Sequence, residues 1–397
     1  MLNFEININK IKSNYKNQVN NDENFILNYV KRVTRFGNIV LSNSPSDKLL
    51  KEICSVAECY LMMSSPKSET IKSVLQMGVK KIIIAEKDVE FISQKISKNV
   101  IIARITLQKN IILDKDLLKL KELLKEILDK VNPYCSELLI DYEEDLDIDE
   151  STILTVLDCL SDIGKLPIIF LDVDNKCTGI LEKKGVDPLI SSQGIYEEKE
   201  LIRIFISLID FQKQEGLVPT IVQDEHSQIL MLAFSSQDSL TQALVKKEGI
   251  YYSRSRKSIW IKGETSGNHQ ILNRVKYDCD QDALLFIVRQ EGVACHLQRY
   301  SCFGNKEFKL SDLYDILQDR IVNPVFNSYT SKISKDERLI NEKIKEESNE
   351  VVNYTDEDNL VWEIADLLYF IMVLMAKKNI TLQDILNELW SRRNYDK

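Results

Sequence analysis

The chain has 397 residues, of which 44% are hydrophobic and 28% charged, with only 12 Gly and 7 Pro. This length predicts two or three domains, and the low Gly and Pro content excludes long disordered tracts. The formal net charge of −9 disfavours a general binder of nucleic acid or membrane surfaces, which is more often basic.

The lack of a recognisable targeting signal and the sparse cysteines predict a cytoplasmic protein. Residues 1–14 lack the apolar core of a secretory signal, and no apolar run approaches the roughly 18 residues that span a bilayer. The eight cysteines are sparse, and five lie in segments predicted to be core, which is typical of free thiols in a reducing compartment. We therefore expect no membrane and no nucleic-acid partner.

Residues 1–210 alternate short apolar runs with helical stretches, such as those at 117–131 and 151–163. The runs are NIVLS (38–42), CYLMM (59–63), KIIIAE (81–86), VIIARI (100–105), ELLID (137–141) and LPIIFLD (166–172). This alternation predicts an α/β domain with a parallel sheet or a partial barrel. Because it contains no glycine-rich phosphate loop and no Cys/His cluster, we expect a structural or degenerate domain without chemistry of its own.

The pattern changes near Gly216, and residues 214–304 predict a second domain. Short strands with turn signals dominate, and one helix at 237–247 interrupts them. The predicted strands are LVPTIVQ, QILMLAF, IYYSRS, SIWIKG, QILNRVKYD and ALLFIVRQ. We therefore expect a compact β-rich α+β domain built mainly from antiparallel strands.

Residues 308–397 predict an all-α domain. Apolar residues recur at helical spacing over 310–320, 335–353 and 357–378, and only three residues separate the last two segments, which predicts an antiparallel hairpin. A final helix is expected at 381–393, where Thr-Leu-Gln-Asp forms a capping box.

The stretch KYDCDQDALLF (276–286) places Asp278, Asp280 and Asp282 in alternation. In a regular strand these three side chains share one face, and Cys279 points to the other. Three adjacent carboxylates repel one another unless a cation lies among them, and hard oxygen ligands suit Mg²⁺. The alternative is a solvated acidic strand end.

Cys279, Cys295 and Cys302 cluster within a short part of a cysteine-poor chain. Three thiolates are a plausible Zn²⁺ set that leaves a fourth position for water, as catalytic zinc sites do. The alternative is that these are buried cysteines with no ligand role.

The segment YYSRSRKSIWIKGETSGNHQ (251–270) is locally basic in an acidic protein. Its cations, hydroxyls and backbone donors predict a phosphate-binding surface. The residues assigned to this surface are Arg254, Arg256, Lys262, Thr265 and Ser266. The alternatives are a charged edge strand for the arginines and a core role for Tyr251, Tyr252 and Trp260.

These motifs together resemble phosphoribosyl-AMP cyclohydrolase, the third-step enzyme of histidine biosynthesis. The likeness covers about 217–304 and rests on YYSRSR, WIKGETSGN, DCDQDAL, ACH and SCFG. It implies Zn²⁺ on Cys279, Cys295 and Cys302, and Mg²⁺ on Asp278, Asp280 and Asp282. It also implies a homodimer whose subunits share the zinc site, and ring opening at the N1–C6 bond of the purine by a zinc-activated water. His296 is expected to transfer a proton, whereas Asn268 stands where many bacterial relatives have histidine.

The helical region holds a second acidic constellation. Glu347 and Glu350 lie on one predicted helix, and Glu363 and Asp366 lie on its hairpin partner. Spacings of three put each pair on one helical face, so the four carboxylates are expected to meet and hold Mg²⁺ for phosphoanhydride chemistry. The alternative is a charged outer face, but the helix that carries Glu363 is apolar almost all round.

This region resembles phosphoribosyl-ATP pyrophosphohydrolase, an all-α family like the NTP pyrophosphatases. The likeness rests on NSYTSKI (327–333), KIKEESNEV (343–351) and LVWEIADLLYFIMVLM (360–375). It implies a catalytic role for the four carboxylates and places further residues near the triphosphate. Those residues are Ser328, Tyr329, Thr330, Lys332 and Lys343. Lys345 and Ser348 depart from the common Gly and Ala but do not touch the four carboxylates.

The three-domain order is similar to that of fungal multifunctional histidine enzymes, without the histidinol dehydrogenase that often follows. We therefore expect a cytoplasmic, homodimeric bifunctional hydrolase that uses Zn²⁺ and Mg²⁺. Its small-molecule substrates would be phosphoribosyl-ATP and phosphoribosyl-AMP. Two alternatives stay open: a housecleaning nucleotide pyrophosphatase with an attached zinc module, and a degenerate scaffold.

Overall fold

A computed structural model describes residues 2–14, 23–64, 66–108, 117–143, 150–163, 166–173, 177–191, 196–213 and 215–395. The chain forms two compact units. The first comprises Met1–Asn305 with Asn387–Lys397, and the second comprises Lys306–Leu386. The first unit contains an N-terminal α/β barrel and a β-rich part.

Eight parallel strands pair in chain order, and β1 closes the barrel against β8. The strands are β1 (Asn3–Ile6), β2 (Asn38–Leu41), β3 (Cys59–Met62), β4 (Lys81–Ala85), β5 (Ile101–Leu107), β6 (Glu137–Tyr142), β7 (Ile168–Val173) and β8 (Asp187–Ser191). The predicted α/β class is confirmed, and the partial barrel is in fact complete. The sequence did not predict β1 and β8, because polar residues interrupt their apolar pattern.

Helices on the outside of the barrel bury one apolar stripe each. In the described residues they are α1 (Ile8–Asn14), α2 (Glu23–Val33), α3 (Asp47–Val56), α4 (Ser68–Gln76), α5 (Glu86–Ser93), α6 (Leu117–Val131), α7 (Glu150–Ile163), α8 (Thr178–Lys183) and α9 (Glu198–Leu208). In α3, Leu49, Leu50 and Ile53 are buried, and the Ser46 hydroxyl caps the helix by accepting a hydrogen bond from the Leu49 amide at 3.3 Å.

The barrel interior is filled by side chains. One layer forms an apolar cluster separate from the outer core, and its members come from seven strands. They are Val40, Tyr60, Ile83, Ile102, Leu139, Ile169 and Leu189. Such a layer makes the barrel a packed core rather than a pore, as is usual for barrels of this kind.

The β-rich part follows the barrel and has the predicted elements. They are β9 (Val218–Asp224), β10 (Ile229–Ser235), α10 (Gln237–Lys246), β11 (Ile250–Ser253), β12 (Ser258–Ile261), β13 (Gln270–Tyr277) and β14 (Leu284–Gln290). The four-stranded sheet has the order β10-β9-β14-β13, in which only β14 and β9 are parallel, while β11 and β12 form a separate hairpin. This sheet determines where the loop after β13 and the cysteine-bearing loops after β14 lie.

The helical unit also agrees with the prediction. Its helices are α11 (Leu310–Val322), α12 (Tyr329–Ile333), α13 (Glu337–Val352), α14 (Glu357–Lys377) and the start of α15 (Leu382–Tyr395). Thr381 caps α15 as predicted, since its hydroxyl accepts a hydrogen bond from the Asp384 amide at 3.1 Å. Leu317, Ile340 and Val373 are central to the small core of this unit.

Of the described helices, α14 alone is long and apolar enough to cross a membrane by length and composition, with a mean hydropathy of 1.7 in its most apolar window. The sequence analysis expected no such segment. The core helix of a soluble protein passes the same test, and the second half of α14 packs in the core through Phe370, Met372 and Val373. Its first half carries Glu363 and Asp366.

Candidate metal centres and active sites

The loop that joins β13 to β14 brings three carboxylates together. Ligand oxygens of Asp278, Asp280 and Asp282 all lie within 4.8 Å of one another. The predicted backbone is nevertheless wrong, because β13 ends at Tyr277 and Gln281 adopts a left-handed φ of 63°. The clustering therefore comes from a tight turn rather than from the pleat of a strand.

Asp278 itself holds this turn. Its Oδ1 accepts hydrogen bonds from the Asp282 amide at 3.0 Å and the Ala283 amide at 3.1 Å. Its own amide donates to the Ala283 carbonyl at 3.1 Å. A short aspartate side chain favours such local backbone bonds, so Asp278 is both a turn former and a candidate ligand.

Lys213 pairs with the acidic loop, which the sequence did not predict. Its ammonium group lies 2.7 Å from the Asp282 carboxylate and also binds the Asp280 carboxylate. The segment is anchored because the Asp210 amide donates to the Gln281 carbonyl at 2.9 Å. Hydrogen bonding to Lys213 lowers the pKa of Asp280, whereas burial and the two neighbouring aspartates raise the pKa of Asp278.

Cys295 and Cys302 lie side by side. Cys295 is buried and Cys302 exposed, and their side chains are close enough to hydrogen bond. Burial and the neighbouring Cys295 raise the pKa of Cys302, and Lys262 opposes that shift. Across the described residues, no group of three ligands within 4.8 Å includes these cysteines, so Cys279 of the same chain does not join them.

Lys262 points to the cysteine pair. It is only 8% exposed, and its ammonium group donates to the carbonyls of Asn268 at 3.3 Å and Val293 at 3.4 Å. Burial lowers the pKa of Lys262, and the two cysteines oppose that shift. The charge of Lys262 therefore faces the thiols, and its assignment to the phosphate-binding surface stays a prediction.

The other predicted phosphate-binding residues are exposed and lie in two turns. Arg254 and Arg256 belong to the β11–β12 turn, where the Arg254 guanidinium stacks 3.7 Å from the Phe234 ring centroid. Thr265 and Ser266 lie in the turn between Gly263 and Gly267, whose φ values of 92° and 74° suit glycine. These arginines are in a turn and not on an edge strand.

His296 and the aromatic residues have different environments. His296 directly follows Cys295 and is exposed. Tyr251 is fully buried, and its hydroxyl donates to Gln270 Oε1 at 2.6 Å. Tyr251 therefore belongs to the core rather than to a base pocket.

The α13–α14 hairpin forms the second acidic site. Ligand oxygens of Glu347, Glu363 and Asp366 lie within 4.8 Å of one another. Glu347 is only 6% exposed, and burial together with the Asp366 charge raises its pKa. The three carboxylates lie close together, and one of them is buried. Nearby cationic side chains do not balance all of their negative charge, so the group suits a divalent cation.

Glu350 borders this group without joining it. A hydrogen bond with Glu363, and the Glu363 charge, raise the pKa of Glu350. Asn359 also donates to Glu363 Oε1 at 2.7 Å and so fixes its carboxylate. Asn359 was missed by the sequence analysis, although its place one turn before Glu363 is a usable signal.

The expected triphosphate residues separate into three sets. Lys343 is close to the acidic group, with its ammonium 2.7 Å from Glu346 and 3.8 Å from Glu347. The Ser328 hydroxyl caps α12, and the Thr330 hydroxyl bonds the Tyr369 hydroxyl at 2.8 Å, so both have structural duties. Tyr329 and Lys332 are exposed.

The first half of α14 is more open than expected. Trp362 is 72% exposed, and Asp366 is exposed as well. The argument that surrounding apolar residues keep these carboxylates from water is therefore wrong for the single chain.

Comparison with known proteins identifies both regions. Residues 231–304 match the phosphoribosyl-AMP cyclohydrolase family, and residues 310–393 match the phosphoribosyl-ATP pyrophosphohydrolase family. Among solved structures, Yersinia pestis DHPS aligns with 52% of this chain and 91% of its own at 11% identity, with a TM-score of 0.36, which is too low to argue from.

Curated relatives combine the two families. The chain is 45% identical over 197 residues to the histidine biosynthesis bifunctional protein HisIE of Caldanaerobacter subterraneus, covering 46% of this chain and 95% of the relative. It is 40% identical over 206 residues to HisIE of Pyrococcus furiosus, covering 48% and 99%. It is 38% identical over 211 residues to the histidine biosynthesis trifunctional protein of Saccharomyces cerevisiae, covering 53% and 26%.

This chain therefore spans about a quarter of the length of the trifunctional relatives and nearly all of the bifunctional ones. The acidic loop lies in the first matched region, and the acidic helical hairpin lies in the second. The chain belongs to the family of bifunctional histidine biosynthesis proteins that join a phosphoribosyl-AMP cyclohydrolase region to a phosphoribosyl-ATP pyrophosphohydrolase region.

Proposed function

We propose that this chain catalyses two consecutive hydrolyses of histidine biosynthesis. Phosphoribosyl-ATP would lose pyrophosphate at the helical site, and phosphoribosyl-AMP would then have its purine ring opened between N1 and C6. The observation that carries the proposal is that each family-matched region has its own cluster of ligand residues. We assign 214–304 to the cyclohydrolase, 308–397 to the pyrophosphohydrolase, and neither reaction to 1–210.

Both families are metal-dependent in general. At the helical site we assign Mg²⁺ to Glu347, Glu363 and Asp366, with Glu350 at its edge. Bound Mg²⁺ would neutralise charge on the triphosphate and favour departure of pyrophosphate.

The side chains of the helical site then have distinct tasks. We assign Lys343 to bind phosphate oxygens, since its ammonium group lies 3.8 Å from the Glu347 carboxylate. Glu350 would accept the proton of the attacking water, because it is exposed and its hydrogen bond to Glu363 raises its pKa, which makes its carboxylate a stronger base. Tyr329 and Lys332 would contact the outer phosphates from their exposed positions, and Ser328 and Thr330 would shape the turn that carries them.

At the cyclohydrolase site we assign Zn²⁺ to Cys295 and Cys302 of one chain and Cys279 of a second copy. Soft thiolate donors suit zinc, and the nearby Lys262 ammonium offsets part of their negative charge. Bound Zn²⁺ would lower the pKa of a water to about 7, which supplies a nucleophile at neutral pH.

Other residues of this site bind and position the substrate. Arg254 and Arg256 would hold a phosphate from the β11–β12 turn, and Thr265 and Ser266 would donate hydrogen bonds from the next turn. His296 would transfer a proton to the ring nitrogen released when the N1–C6 bond breaks. We assign Mg²⁺ to Asp278, Asp280 and Asp282, where it would compete with Lys213.

A homodimer accounts for two features of the single chain. Cys279 is exposed and does not meet the cysteine pair, so a second copy is needed to supply the third thiolate. Large apolar side chains of α14, Val361 and Trp362 among them, are exposed as they are at subunit interfaces. A cytoplasmic location is expected for such an enzyme of small metabolites.

Incubation of the full chain with phosphoribosyl-ATP, Mg²⁺ and Zn²⁺ tests the proposed function. The expected result is release of pyrophosphate followed by the ring-opened product. Hydrolysis of non-canonical nucleoside triphosphates with phosphoribosyl-ATP left intact would instead favour a housecleaning pyrophosphatase. If the folded, metal-loaded chain had neither activity, the result would favour a degenerate scaffold.

A further inference from the structure

The barrel of residues 3–191 has one polar end. Because all eight strands are parallel, their carboxyl ends meet at a single mouth, where barrels of this kind hold their ligands. Two positions further along each strand from the apolar layer of the interior, several inward-facing side chains are polar or charged. The inward-facing positions there are Glu5, Ser42, Met62, Ala85, Arg104, Asp141, Leu171 and Ser191.

Charged and hydroxyl groups pair across this mouth. Arg104 donates from Nε to Asp141 Oδ2 at 2.6 Å, and the Ser191 hydroxyl donates to the Glu5 carboxylate. Asp141 is 4% exposed, and its other oxygen, Oδ1, has no direct hydrogen-bond partner in the described part of the chain. Burial raises the pKa of Asp141, and Arg104 and Thr106 oppose that shift. An apolar pair would fill this place at lower cost, so stability alone does not account for the ion pair.

Arg104 lines a cavity of about 190 Å³ at this mouth. Four side chains on its wall carry hydrogen-bond donors: Ser42, Ser64, Lys87 and Arg104. The Ser42 hydroxyl is buried and has no partner among the described residues. The rest of the wall is Met62, Met63, Ile83, Ala85 and Asp88.

The cavity also meets the start of α5. That helix begins at Glu86, and its N-cap residue Ala85 has no side chain able to bond the first amides. Free amides at a helix N-terminus attract anions. Amides, a guanidinium, an ammonium and hydroxyls therefore converge on one side of a partly apolar cavity.

We propose that the barrel mouth binds a small organic anion with a single oxyanion head, which contacts Arg104, Ser42 and the α5 N-terminus. Its carbon part lies against Met62, Met63 and Ile83. The head group is a carboxylate or a phosphate monoester, which share this chemistry. Asp88 and Asp141 disfavour a ligand with several anionic groups, and both phosphoribosyl substrates carry two or more phosphate groups.

Methyl NMR on the full chain gives a site-specific test. The chain has only seven methionines, and two of them, Met62 and Met63, line the cavity. With ¹³C-methyl methionine, glycerol 3-phosphate and butyrate are titrated separately to distinguish the two head groups. The expected result is that one probe shifts the Met62 and Met63 methyls in a saturable way. Any binding of phosphate in the helical unit is reported separately by Met372 and Met375.

Variants test whether Ser42 and Lys87 bind the oxyanion head of the ligand. The double change Ser42→Ala with Lys87→Leu should weaken binding about tenfold or more, because it removes a hydroxyl and a cation. Lys51→Leu, at an exposed position of α3, is the matched control and should bind as the unaltered chain does. The proposal is overturned if neither probe moves the two methyls at millimolar concentration, or if the double variant binds as tightly as the control. Either outcome leaves the proposed hydrolase function untouched, since its residues lie elsewhere in the chain.

Discussion

The ammonium group of Lys213 lies 2.7 Å from the carboxylate of Asp282 and also pairs with Asp280. The Lys213 side chain thus neutralises part of the negative charge of the loop to which we assign Mg²⁺. Binding of Mg²⁺ there requires Lys213 to move away, because two cations cannot share these oxygens at close range.

Lys213→Met should therefore strengthen Mg²⁺ binding at the loop by about tenfold, since the competing charge is lost. The measurement is Mn²⁺ binding by electron paramagnetic resonance in a Glu363→Gln background, which weakens the helical metal site. Lys199→Met, exposed on α9, serves as the control. Equal affinities in the two lysine variants would refute competition by Lys213.

Because Glu347 is buried, we expect the stability of the metal-free helical unit to depend on pH. Its pKa is raised in the folded state by burial and by Asp366, so folding favours its protonated form. The stability due to Glu347 is fully present below the ordinary pKa of a glutamate and is lost as the pH rises through the raised value. Metal-free protein should thus melt at a lower temperature at pH 7 than at pH 5 in the transition of this unit.

Glu347→Gln should flatten that dependence and raise the metal-free Tm at pH 7 by a few degrees. Calorimetry with and without Mg²⁺ measures both effects, and Mg²⁺ should stabilise the unaltered chain but not the variant. Glu342→Gln, on the same helix, is the control. An unchanged slope of Tm against pH in Glu347→Gln would contradict the assignment.

Shared zinc sites predict complementation between two inactive variants. Cys279→Ala and Cys302→Ala should each lack ring opening, because each loses one thiolate in every site. Random mixing makes half of the dimers mixed, and each mixed dimer has one complete site. Ring-opening activity and bound zinc should therefore recover to about one quarter of the unaltered level. Failure to recover after subunit exchange would show that all three thiolates belong to one chain.

The Arg104–Asp141 pair predicts a stability cost that depends on pH. Arg104→Leu leaves Asp141 buried without its partner and should cost about 2 to 3 kcal/mol, less than a fully buried pair because Arg104 is 43% exposed. Because burial raises the pKa of Asp141, the loss should shrink as the pH falls towards that value. Urea unfolding at two pH values measures it, and Arg104→Leu with Asp141→Leu should recover most of the loss.

The barrel shows what the sequence can and cannot predict. Six strands each contain a continuous apolar run, so their positions were predictable. β1 and β8 carry Glu5, Asp187 and Ser191 on their inward faces, which interrupt the pattern. Closure depends on pairing of those two strands and was therefore not predicted.

The acidic loop shows the same limit at a single site. The grouping of Asp278, Asp280 and Asp282 follows from their closeness in the chain, whichever backbone they adopt. The turn depends on a left-handed Gln281, which a strand pattern does not reveal. Lys213 lies 67 positions before Asp280 and 69 positions before Asp282, so its ion pairs arise only from the fold.

The most direct test of two separate hydrolytic sites is product analysis of Cys302→Ala and Glu363→Gln with each substrate. Cys302→Ala should release pyrophosphate from phosphoribosyl-ATP at the unaltered rate and accumulate phosphoribosyl-AMP. Glu363→Gln should leave phosphoribosyl-ATP intact but open the ring of added phosphoribosyl-AMP. Loss of both reactions in either folded variant would contradict the two-site account.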